Sequence, residues 1–190
     1  MIKHPNILIS SIILIVCFLF IGRYSALNSA YPDPPVISAG IGEDLEIGDF
    51  VFSINNWEWH NGDVVHELIP DYIARYDSDG SSYSSEKIRI ILVEVFIMNN
   101  SDEDMTVDLS SFAFESGAWH NQWDCVLFEE LNKDNPSLYV DIEHKQKVAI
   151  TFPITMYDDQ FTSKDWRNIE NRAFSIVLTT YPYKYVLMGV

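Results

Sequence analysis

The sequence is short of cysteine, with two in 190 residues, and short of basic residues, with 12 Lys and Arg against 28 Asp and Glu. Cys17 lies inside an apolar run, which leaves Cys125 alone in the remainder. No internal disulfide is possible there, so a packed core must hold the fold. All the acidic residues follow Pro32, together with every basic residue except Lys3 and Arg23. An anionic field of that size repels nucleic acid and anionic headgroups, so neither is an expected partner of this part. No Gly-x-Ser-x-Gly elbow, phosphate loop or dinucleotide fingerprint occurs. The histidines at 60, 66, 120 and 144 lack metal-like spacing, and Cys125 has no cysteine partner for zinc. No cofactor, metal or catalytic residue is expected.

What the chain does have is an address. Lys3 precedes an unbroken apolar run from Ile7 to Gly22 with no acidic residue near it, the pattern of a secretory signal or signal anchor. Sixteen residues at about 1.5 Å each make roughly 24 Å of helix, short of the roughly 30 Å hydrocarbon core and long for a cleaved signal. Cleavage needs small residues one and three positions before the cut, and Tyr24 or Asn28 occupies the third position for cuts after Ala26 or Ala30. Retention is therefore expected: residues 1–27 as a single-pass anchor, with Arg23 and Tyr24 at the outer interface and the C-terminal part outside the cytoplasm. Val16 before Cys17 and the apolar residues after it argue against lipidation, so Cys17 reads as a membrane-buried side chain.

Residues 28–44, with Pro32, Pro34, Pro35, Gly40 and Gly42, read as an extended tether, and residues 45–190 as one domain. Phe50, Phe52 and Ile54 alternate as a half-buried strand continuing toward Trp59. Residues 67–76 are expected to make a helical turn or two and residues 77–85 a polar loop. Ile88 to Met98 is apolar on both parities, as in a strand covered on both sides, which puts Ile91, Val93 and Val95 in the core. Asn99 to Asp104 makes a polar turn before Met105, Val107 and Leu109. Leu138, Val140 and Ile142, the turn Glu143–Lys147 and Val148 to Ile154 read as a hairpin of two facing strands. Thr162 to Asn171 is expected as a short helix capped by Thr162 or Ser163, and the stretches around Ile176 and Tyr185 as the last strands. Many short strands with little helix predict an all-β antiparallel sandwich with one or two short helices in loops.

The stretches IGDFVFSINNWEW, IRIILVEVFIMNNSDEDMTVDLSSFAF and YVDIEHKQKVAITFPI, in this order, resemble a family of uncharacterised immunoglobulin-like extracytoplasmic domains. These occur in Gram-positive lipoproteins and membrane-anchored surface proteins. The resemblance covers about 110 residues and implies an immunoglobulin-like β-sandwich with no known catalytic residues. Two departures stand out: His144-Lys145-Gln146 replaces the family's Pro-Gly in the hairpin, and Val16 is incompatible with the lipidation of many members.

Two aromatic clusters invite a functional reading, Trp57, Trp59 and His60, and Trp119, His120 and Trp123. Strand parity puts Trp57 and Trp59 on one face, as core. Trp119 and Trp123 lie among Gly117, His120, Asn121 and Gln122, which reads as a loop with exposed indoles, so Trp119, His120 and Trp123 are the candidate ligand-binding residues. Asp77, Asp79, Gly80 and Glu86 fit a calcium-loop template, but Arg75 stands where the first carboxylate is required. Asp102, Glu103 and Asp104 read as a solvated turn, and Cys125, followed by Val126 and Leu127, as a buried small hydrophobe rather than a nucleophile paired with His120. The expectation is a membrane-anchored, non-enzymatic extracytoplasmic binding or adhesion module for an envelope protein, surface protein or cell-wall material. The rival is an envelope hydrolase or ligand sensor with a pocket built from the 60–85 loop and the 117–125 segment.

Overall fold

The computed structural model describes residues 5–70 and 85–189. The chain divides into two compact units, Met1–Pro35 and Val36–Val190. The first is dominated by helix α1 (Pro5–Ala30), which has no acidic residue in its first turn. Among the described residues it is the one helix long and apolar enough to cross a membrane, a test that a signal sequence also passes.

The second unit is a β-sandwich with few helices. One sheet has the order β1 (Val36–Ala39), β11 (Lys184–Met188), β10 (Ser175–Thr179), β6 (Ala113–Ser116) and β7 (Trp119–Asn121). Another has the order β2 (Leu45–Ile47), β3 (Phe50–Asn61), β4 (Ile88–Asn99) and β9 (Lys147–Tyr157), and β5 (Met105–Asp108) pairs with β8 (Tyr139–Ile142). Pairing is antiparallel except between β1 and β11, which run parallel, so the sandwich is not purely antiparallel. Strand β1 also corrects the expected 28–44 tether. Val36–Ala39 follow the prolines directly and take the open edge of β11, with Val36 opposite Lys184.

β4 is central and covered on both faces, as its two apolar parities required. Ile91, Val93, Val95 and Ile97 point into the main core with Ile150, Phe152 and Ile154 of β9, Phe114 of β6 and Ile176 of β10. On the other face Ile88 and Ile90 pack with Val65 of α2 (Asp63–Leu68) and Leu127 of α3 (Cys125–Leu131). In β3 a register shift between Ile54 and Asn56 changes which parity faces inward, from Phe52 and Ile54 to Trp57 and Trp59. A single extra residue moves the inward set by one position, which is how a bulge reconciles the two patterns.

The expected hairpin between the 138–142 and 148–154 stretches is not one. β8 pairs with β5, whereas β9 pairs with β4. β4 to β5 and β8 to β9 therefore form one antiparallel ribbon that bends between sheets at two adjacent corners, Asn99–Asp104 and Glu143–Gln146. Asn99 ties the corners. It is fully buried, its amide donates to the carbonyls of Glu103 at 2.7 Å and Ile142 at 3.0 Å, and its Oδ1 accepts from the Ser101 backbone and hydroxyl. Lys145 adopts a positive φ of 57° in the second corner, and its amine donates to the Asn100 carbonyl at 2.7 Å.

β9 is an edge strand, and its outer side is met by one side chain and one backbone amide. Asn132 donates to the Thr151 carbonyl and accepts from the Thr151 amide, both at 2.8 Å, while the Asp124 amide donates to the Pro153 carbonyl. Pro153 offers no donor of its own. Covering the edge this way blunts strand-to-strand association.

Candidate binding surface

The three candidate residues separate in the structure. Trp123 is 6% exposed, edge-on to Phe152 at 5.2 Å and 5.9 Å from Phe128, so it is core and unavailable to a ligand. Of the polar neighbours that suggested a loop, Gly117 turns between β6 and β7, His120 and Asn121 lie in β7, and Gln122 leads to α3, whose N-cap Asp124 accepts from the Val126 and Leu127 amides. Trp119 lies in strand β7, half-buried, and His120 beside it is exposed. Cys125, expected buried, is exposed at the start of α3. There the buried face of the helix is carried by Leu127 and Phe128.

Trp57 and Trp59 pack against the core as expected. Trp57 lies so close to the Gly189 backbone that a Cβ there would stand 2.5 Å from its ring.

Trp119 belongs to a larger arrangement that sequence reasoning did not assemble. Trp59 meets Phe174 at 5.5 Å, Phe174 meets Trp119 at 5.7 Å, Trp119 meets Phe161 at 5.6 Å, and Phe161 stacks on Trp166 at 6.0 Å. Five aromatic rings from β3, β7, the 160s segment and the approach to β10 thus form a row. Thr162 accepts from the Asp165 amide and caps α4 (Ser163–Arg167), the helix that presents Trp166. Two guanidinium groups flank the row. Arg172 lies 5.5 Å from the Phe161 ring and bonds the Ser116 hydroxyl and carbonyl; Arg89 lies 5.5 Å from the Trp166 ring and bonds the Glu86 and Ile88 carbonyls. Cations over aromatic faces gain from the ring quadrupole, and forked donors fix the geometry.

Beside the row is an open cleft of about 370 Å³ lined by Arg89, Trp166, Arg167, Asn168, Glu170 and neighbouring residues. Arg89 Nε lies 3.5 Å from Glu170. Arg167 is exposed and has no ion-pair partner among the described residues. The strand register places this end. β11 starts opposite Val36 and finishes with Met188 opposite Ser175, next to Phe174 of the row. The row and cleft therefore lie at the end of β10 and β11 away from the point where the chain enters the sandwich.

A second depression, of about 390 Å³, sits at the corner and includes Asp104, Thr106, Asp141 and Glu143. The His144 backbone amide and ring nitrogen, in that order, hold the Asp104 carboxyl below its usual range, and Thr106 donates to Asp141 at 2.5 Å. A carboxylate held more acidic than normal is a weaker base, the opposite of what general acid–base chemistry near neutral pH requires. Among the described residues no group of three or more His, Cys, Asp or Glu side chains is placed to hold a metal ion. Most of the 60–85 loop proposed for the rival pocket, with Asp77, Asp79 and Gly80, lies outside the described residues.

Residues 68–185 match a family model described as Domain of unknown function (DUF5028). Among solved structures the chain is similar to a conserved hypothetical protein from Bacillus anthracis, with 12% identity over 77% of this chain and 93% of that one and a TM-score of 0.47. It is similar to an uncharacterized beta-sandwich protein from Clostridium difficile 630, with 14% identity over 82% and 95% and a TM-score of 0.43. It is also similar to the yjhA protein from Bacillus subtilis, with 9% identity over 80% and 99% and a TM-score of 0.45. Comparison with curated proteins returned no match.

Proposed function

The chain belongs to the DUF5028 family, and on that premise, which assigns no activity, we propose that it is a membrane-anchored extracytoplasmic binding module. In this reading α1 stays in the membrane, the immunoglobulin-like sandwich sits on the outer side as in Gram-positive surface proteins, and the partner is an envelope protein, a surface protein or cell-wall material. The observation that carries it is the cleft beside the aromatic row, at the end of β10 and β11 away from Val36. Aromatic and arginine side chains dominate recognition hot spots because they combine large contact area with fixed donors. Trp166 and Arg167 take the place of Trp123, which packing removes from any surface.

Capture of envelope material by the immobilised full chain tests the reading. Arg167→Glu should reduce capture at least about tenfold, the equivalent of roughly 1.4 kcal/mol, with thermal unfolding unchanged because Arg167 makes no ion pair among the described residues. Equal capture by the variant removes this surface from the proposal.

A further inference from the structure

The opposite end of the sandwich carries a second unexplained surface. Ile37 lies opposite Tyr185 and Val36 opposite Lys184 across the parallel β1–β11 pair, so the loop Thr180–Tyr183 ends beside the first residue of β1. This corner is open: Tyr181 is 84% exposed, Val36 62%, Tyr183 46% and Ile37 39%. The loop is held in shape, since the Thr179 hydroxyl donates to the Tyr183 carbonyl at 2.8 Å and the rings of Tyr183 and Tyr185 meet edge to face at 6.2 Å. The two segments that form this corner are poor in acid. No acidic residue follows Glu170, and between Tyr31 and Gly42 there is only Asp33. The adjoining Lys184 is turned onto Glu115, both of whose oxygens accept from it at 2.7 Å.

Apolar and tyrosine side chains beside a Lys184–Glu115 ion pair that neutralises itself suit a particular medium. Tyrosine concentrates at the membrane–water interface, where its ring sits among the upper acyl chains and its hydroxyl stays hydrated. The covalent chain limits how far this corner can be from such an interface. Only residues 31–35, three of them proline, separate the end of α1 at Ala30 from Val36. At about 3.1–3.6 Å per residue the six steps span roughly 20 Å at most, and with Tyr24 at the interface residues 25–30 of α1 add roughly 9 Å of helix, which keeps Val36 within roughly 30 Å of the headgroups.

We propose that the Tyr181–Tyr183 loop, with Val36 and Ile37, docks into the headgroup region of the bilayer that holds α1. The inference rests on α1 being retained as an anchor. Docking of this corner turns the tethered sandwich into an oriented one, with the aromatic row and the Arg167 cleft on the end of β10 and β11 away from the lipid.

The test uses the full chain in zwitterionic nanodiscs, with an environment-sensitive fluorophore on a cysteine introduced by Thr180→Cys and both native cysteines replaced by serine. Lipids bearing a nitroxide on the headgroup or deep in the acyl chain serve as quenchers. A second sample, labelled at the native Cys17 with Cys125→Ser, reports on the anchor. The expected result is strong headgroup quenching of the position 180 label, at least halved by Tyr181→Ser with Tyr183→Ser, and acyl-chain quenching of the Cys17 label. Quenching at position 180 that survives both serine replacements would mean that tether proximity alone brings the loop close, and the docking is overturned. An unquenched label at 180 with a quenched Cys17 overturns docking and leaves the anchor intact. A Cys17 label beyond reach of the acyl-chain nitroxide overturns both.

Discussion

The side-chain amide of Asn99 donates to the main-chain carbonyl of Ile142 at 3.0 Å, joining two corners 43 positions apart in sequence. Because the same side chain also serves Glu103 and Ser101, one buried residue satisfies the backbone where the β4–β9 ribbon leaves one sheet and continues as β5–β8. Replacing it with Ala leaves the Ile142 carbonyl buried without that donor and opens a small cavity. Asn99→Ala is expected to cost roughly 2–3 kcal/mol in urea unfolding, and Asn99→Asp at least as much, because a carboxylate supplies no donor to the carbonyls.

Val93 is fully buried in the middle of β4, opposite Phe152 of β9. Val93→Asp places an unpaired charge there, at a cost larger than the few kcal/mol by which a domain of this size is stable. Circular dichroism should show no cooperative unfolding transition in the variant.

Trp123 and Trp119 should behave differently. Trp123→Ala empties a site bounded by Phe128 and Phe152 and is expected to cost roughly 3–5 kcal/mol. Trp119 is half-buried and should cost less. Equal losses in parallel denaturant titrations would contradict the distinct placement of the two indoles.

Acid should weaken the sandwich by a predictable route. Asn56 holds Glu58 below the usual carboxylate range, the His144 amide does so for Asp104, and the Ser110 hydroxyl and amide do so for Asp108. A depressed native pKa contributes stability above the unfolded value, about 4, and that contribution disappears as pH falls through the native one. Asp104→Asn should therefore lower stability slightly near neutrality, where that contribution is fully present, and flatten the acid limb of the profile. A profile identical to that of the parent chain would show that the His144 contact contributes nothing.

The strands were legible wherever the apolar pattern was long, as an alternation in β9 and as a run on both parities in β4, because burial of one face imposes a period of two and burial of both fills it. Partner choice was not legible. Val140, Ile142, Val148 and Ile150 alternate identically whether β8 faces β9 or turns away to β5, and the buried amide of Asn99 that ties the two corners has no signature in that alternation. Strand β1 was hidden by the prolines just before it, since four residues are too few to show a pattern and a parallel partner lies far along the chain. The site failed for a different reason. Gly117, His120, Asn121 and Gln122 have loop composition, yet Trp123 packs on Phe128 of the helix that Asp124 caps. The aromatic row draws Trp59, Trp119, Phe161, Trp166 and Phe174 from separate segments, and no local spacing announces it.

Recognition at the Arg167 rim is tested most directly by photo-crosslinking. The full chain, held in nanodiscs and carrying a photoreactive residue in place of Arg167 or, as a control, of the exposed Lys133, is illuminated with envelope fractions of the native cell. The expected result is a discrete adduct from position 167 that is absent from position 133, suppressed by excess unlabelled chain and not by excess Arg167→Glu variant. Equal adducts at both positions, or equal competition by the variant, would contradict binding at this surface.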